Sequence, residues 1–118
     1  MMQMTPVLCL KRPQVQQLTA HLAAYRSYLW RTIMPTPERN QTIRFIQGMQ
    51  GRLEQAQKQG QTREIFLSLS AEERRALQQL LSELLQLYGS TPPCEQRTQT
   101  LGELAGLRVL VERALYQA

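Results

Sequence analysis

The chain has 118 residues, a formal net charge of +5 and 42% apolar residues, which is long enough for a core and too apolar for a disordered chain. No apolar run reaches the ~18–20 residues that span a bilayer, and the amino-terminal stretch turns basic directly after Val7–Leu10, the reverse of a secretory signal, so a cytoplasmic protein with no membrane insertion is expected. The chain has no Asp, one histidine (His21) and two cysteines (Cys9 and Cys94) outside any CxxC pair; that leaves little to build a metal centre or a Cys–His pair, so it reads as non-enzymatic, with no cofactor and no metal.

Residues 5–11 form a short apolar arm, too short for a helix, with Val7 favouring an extended chain. Cys9, between Leu8 and Leu10, reads as a small buried hydrophobe. A first helix is expected from Pro13, which suits a helix start, to Met34. Val15, Leu18, Leu22, Tyr25, Leu29 and Ile33 make one stripe along it. Arg26 lies beside that stripe, to snorkel or to pair with a Glu on another helix, and Trp30 is placed to stack on its guanidinium. Met34-Pro35-Thr36-Pro37 ends the helix, and Thr36 can cap a second one running to about Lys58. Ile43, Ile46, Met49, Leu53 and Ala56 are its stripe, with Gln50 inside the arc. Gly48 and Gly51 weaken that helix, and close approach of a neighbouring helix is the simplest reason for them.

A second arm, residues 63–69, leads into the Ser70–Glu73 capping box and a third helix carrying Leu77, Leu80, Leu81, Leu84, Leu85, Leu87 and Tyr88. Gly89 and Pro92-Pro93 end it. A fourth helix starts near Glu95 or at Thr100, where Thr100 and Glu103 offer another capping box. Its core stripe is Leu101, Leu104, Leu107, Val111 and Leu115. Arg108 falls on the inner arc at the place of Gln50, within reach of Glu112. Val109 and Leu110 lie off the stripe as an exposed apolar patch that needs a cover.

Arg39-Asn40-Gln41-Thr42-Ile43 returns 58 positions later as Arg97-Thr98-Gln99-Thr100-Leu101, and at the same offset Gly48 meets Gly106 and Glu54 meets Glu112. The chain therefore reads as one helical domain, 1–118, with internal repeats 5–60 and 63–118. The expected fold class is all-α: a four-helix bundle from two tandem αα-hairpins about a pseudo-twofold, each preceded by a short extended arm. The arms either pair as strands or lie as straps across the bundle, and the strap arrangement is preferred.

Three constellations bear on function. Arg39, Thr42, Arg97 and Thr100 sit at helix starts, where free N–H groups favour anions; capping and loop-tying are their favoured role. Arg26, Gln50 and Arg108, with Glu54, Glu83 and Glu112 as partners, form an inner polar set that has to pair or reach water. Arg12, Arg31, Arg44, Arg52, Arg63, Arg74, Arg75 and Arg113 are expected on the surface. The order of arm, helix and helix resembles the layout of ribbon-helix-helix DNA binders, whose paired strands carry polar side chains into the major groove. Here the arms, Val-Leu-Cys-Leu and Ile-Phe-Leu-Ser-Leu, read as apolar on both faces, and the first helix is long for that family. The leading expectation is an interaction module acting on a protein partner or as a homodimer. The alternative is a sequence-tolerant nucleic-acid binder using its Arg residues.

Overall fold

A computed structural model describes residues 7–59 and 64–116. The elements run β1 (Val7–Lys11), α1 (Arg12–Thr32), α2 (Pro37–Gln59), β2 (Glu64–Ser68), α3 (Ala71–Gly89) and α4 (Glu95–Tyr116). The protein is mostly helical, with one small sheet in which β1 and β2 pair. The arms are thus strands and not straps. Their side chains alternate: Leu8, Leu10, Ile65 and Leu67 are buried, while Val7, Cys9, Lys11, Glu64, Phe66 and Ser68 face outward. This period of two is what an extended backbone with one covered face imposes. It corrects one expectation: Cys9 is exposed, because its neighbours Leu8 and Leu10 take the inward positions, while Val7 and Phe66 leave apolar side chains on the outer face as well.

The described residues divide into two compact units, each with its own helix pair. In Lys11–Ile65, α1 packs on α2. Val15, Leu18, Leu22, Tyr25 and Leu29 meet a stripe of Ile43, Ile46, Met49 and Leu53, and all nine are buried. Ile33, expected at the end of the first stripe, lies past the helix and is exposed, because Thr32 ends α1 ahead of Pro35. The other unit joins Val7–Leu10 to the chain from Phe66 onward. Here α3 packs on α4 through Leu77, Leu80, Leu81 and Leu84 on one side and Leu104, Leu107 and Val111 on the other. Its arm is therefore the one from the beginning of the chain: β1 pairs with β2, and β2 leads directly into α3. The side chain of Leu115 lies outside the described residues.

Each helix start has a local cause. Gln14 Oε1 accepts from the Lys11 N–H at 2.8 Å, ahead of α1. Thr36 Oγ1 accepts from the Arg39 N–H at 3.1 Å to cap α2. Ser70 and Glu73 cap each other's backbone N–H groups at 3.1 and 3.0 Å, the reciprocal box expected for α3. For α4 the cap is Cys94, whose Sγ accepts from the Arg97 N–H at 3.4 Å. The proposed box of Thr100 and Glu103 therefore falls inside the helix. At the far end of α3, Gly89 has no positive φ. The last carbonyls are met by Ser90 and Thr91, whose hydroxyls donate to Leu87 and Tyr88 at 2.8 and 2.7 Å.

Candidate functional site at the helix corner

The turn from α1 into α2 is built on Arg39. Position three of α2 points its side chain back at the end of α1. There Nη1 donates to the Ile33 carbonyl at 2.8 Å and Nε to Asn40 Oδ1 at 3.3 Å. The guanidinium also lies over the Trp30 ring, 4.9 Å from its centroid. Helix carboxyl ends carry unmet carbonyls and a partial negative charge, so a cation there is favoured on both counts. Arg39 is buried despite its charge, and these contacts are what balance its desolvation. The Thr42 hydroxyl donates to the Glu38 carbonyl at 3.0 Å. Trp30 stacks with Arg39, not with Arg26 as its helical spacing had suggested.

The turn from α3 into α4 repeats the tie with other residues. Arg97 Nε donates to the Tyr88 carbonyl at 3.0 Å and Nη2 to the Gly89 carbonyl at 2.8 Å. Backbone bonds agree as well: the Asn40 N–H donates to Thr36 O at 3.0 Å and the Thr98 N–H to Cys94 O at 3.1 Å. Thr36 and Cys94 are themselves 58 positions apart. The two corners differ in what surrounds the tie. Trp30, Asn40 and Arg44 in one stand where Tyr88, Thr98 and Gly102 stand in the other. The first corner opens a cleft of about 490 Å³ lined by Pro35, Thr36, Pro37, Asn40, Gln41 and Arg44. Trp30, at 66%, and Met34, at 79%, are among the most exposed large apolar side chains described.

The inner polar set is only partly brought together. Arg26 Nη1 donates to Gln50 Oε1 at 3.1 Å, across α1 and α2, so its partner is an amide and not a Glu. Arg108 is exposed, off the inner arc of α4, because Leu104, Leu107 and Val111 define the buried stripe and Arg108 lies one step past Leu107. Of the proposed apolar patch, Val109 is exposed and Leu110 half-buried. A Cβ built on Gly48 or Gly51 meets nothing within 4 Å, so close helix approach does not account for either glycine. The exposed cations Arg12, Arg31, Arg44, Arg75 and Arg113 and the half-buried Arg52 fit a solvated basic surface, while Arg63 lies outside the described residues.

Arg74 was missed. Expected on the surface beside Glu72 and Glu73, it is buried at 4% exposure, with no hydrogen-bond partner for Nε or Nη1 among the described residues. The signal was its spacing: Arg74 stands three residues before Leu77, on the line that continues to Leu80, Leu81 and Leu84. Among the described residues no group of three or more His, Cys, Asp or Glu side chains is placed to hold a metal ion. Likewise, no described helix is long and apolar enough to cross a membrane. No family model, curated protein or solved structure matches the chain.

Proposed function

We propose that the protein is a small non-enzymatic interaction module that binds a protein partner, built as a tandem duplication of arm, helix and helix. The observation that carries this reading is the outer face of the β1–β2 sheet. Phe66 is 62% exposed there, and Val7 is exposed on the other strand. Burying a Phe or Val side chain is worth roughly 1.5–3 kcal/mol, so two of them held outward on paired strands are a binding surface in waiting. The duplication is supported by the order strand, helix, helix occurring twice and by the matched ties of Arg39 and Arg97.

Affinity capture from the source cell at moderate salt, with the wild type beside Phe66→Asp, tests the reading. One stoichiometric protein should be retained by the wild type and lost by the variant. Sedimentation at varied concentration separates a second copy of the chain from a different partner. If only nucleic acid is retained, the interaction-module reading falls.

The second reading is a sequence-tolerant nucleic-acid binder, and the pairing of the arms favours it. Strands that pair and then run into helices are the layout of ribbon-helix-helix proteins, and Lys11 and Ser68 face outward on them. It requires affinity for a DNA or RNA duplex that falls steeply with salt.

A further inference from the structure

The two corners contain an internal control. The tie of an Arg to the preceding helix end is made in both, so it accounts for Arg39 and Arg97. It does not account for Trp30, Asn40 and Arg44, because Tyr88, Thr98 and Gly102 serve a corner of the same construction. At the α1–α2 corner the tie is accompanied by an exposed indole where the other corner has the half-buried Tyr88, by the exposed Met34 where it has Pro92, and by Arg44, on the wall of a cleft, where it has Gly102.

These features are arranged to receive something. Arg39 holds the indole on one side at 4.9 Å, so the ring is fixed before anything binds, and the ring remains two-thirds exposed. A pre-set aromatic surface loses little side-chain freedom on binding, which is what makes Trp an efficient anchor. Asn40 Oδ1 accepts from Arg39 Nε, and its amide N–H groups remain as donors on a residue that lines the cleft. Arg44 is exposed on the same wall. Between Trp30 and Arg44 the only acid is Glu38, against Arg31, Arg39 and Arg44.

We infer that the α1–α2 corner docks an acidic segment of a partner protein, with an apolar side chain of that segment against Trp30 and Met34 and a carboxylate on Arg44. This rests on the interaction-module reading and names the chemistry of its partner. The occupant follows from the two properties found together. A basic wall with amide donors selects carboxylates, for which Arg is the suited cation. Ile33 and Met34, exposed three and four residues after Trp30, add apolar surface that suits an apolar side chain; a stacked base would use the ring alone.

Trp30 is the only tryptophan, so its emission reports on this corner alone. A phage library of random 12-residue peptides is panned against the protein, with counter-selection on the Trp30→Ala/Arg44→Glu double variant. Enriched peptides should place Asp or Glu near an aliphatic or aromatic residue, and each should shift the Trp30 emission to the blue. Arg44→Glu alone, at an exposed position and checked for unchanged circular dichroism, should weaken them by at least roughly tenfold. Gly102→Glu, at the matching place in α4, should leave them unchanged. No enrichment over the double variant overturns the inference. Peptides that ignore Arg44→Glu but are lost with Phe66→Ser also overturn it, while leaving the interaction-module reading standing. An oligothymidylate that quenches Trp30 where no peptide does overturns it in favour of single-stranded nucleic acid. The broader reading fails separately, when affinity capture returns no protein partner.

Discussion

Arg74→Leu should make the protein more stable. Arg74 sits in the first turns of α3, in line with Leu77, and is 4% exposed. Among the described residues its Nε and Nη1 are buried without an acceptor. Each unmet buried donor costs about 1–3 kcal/mol. Replacing a buried ionic side chain by an apolar one of similar size is often neutral or gains up to about 4 kcal/mol. A cation near a helix amino end also opposes the helix dipole, although Glu72 and Glu73 in the same turn offset part of that. Leu and Arg have nearly equal helix propensity, so the backbone adds almost nothing to the difference. A gain of about 2 kcal/mol follows. With an m-value of about 1–3 kcal/mol/M in urea, the midpoint should rise by roughly 1 M at unchanged slope. Arg74→Met, which keeps the length of the stem, should behave alike. A lower midpoint in both variants would mean that Nε and Nη1 are satisfied in solution, and the reasoning would be wrong.

Gly48→Ala and Gly51→Ala should each stabilise α2 by about 0.5–1 kcal/mol, since the added methyl meets nothing; a fall in melting temperature by calorimetry would place a neighbour where none is described. Arg39→Ala should cost about 2 kcal/mol in chemical denaturation and change Trp30 emission, because it removes a charged hydrogen bond and the stacked cation together. Arg97→Ala should cost less, about 1 kcal/mol, since Arg97 is half-exposed and leaves its carbonyls closer to water. Cys9 and Cys94 are both exposed, so two thiols per chain should react with an aromatic disulfide reagent without denaturant; a single fast thiol would contradict the exposure of one of them.

Spacing made the helices legible. The stripes of Val15 to Leu29 and Ile43 to Leu53 are buried where a period of 3.6 puts them, and the Ser70–Glu73 box caps α3 by the chemistry its residue types demand. The arms were harder for a physical reason. Five residues carry too little periodicity to reveal a covered face, and only pairing with a distant strand decides which side chains turn in. Cys9 was misplaced for that reason. Arg74 was misjudged for the opposite reason: its spacing from Leu77 pointed inward, but its charge and its acidic neighbours outweighed the spacing. The cap at Cys94 was overlooked because sulfur is a weak acceptor, and only the matching place of Thr36 suggests it.

The candidate site was half legible in the same sense. Arg39 and Arg97 announced themselves by recurring, and the recurrence proved to mark a tie between helix ends. A residue type found at both corners answers a need that both corners have, and here the need is to meet unpaired carbonyls at a sharp turn. A residue present at one corner alone has no such structural warrant, since the other corner closes without it. Thr42, which recurs as Thr100, donates to a carbonyl of its own helix. Asn40 and Arg44, which do not recur, line the cleft, and Trp30, which does not recur either, is exposed beneath the Arg39 guanidinium. The proposed docking surface rests on the difference between the two corners, more than on their likeness.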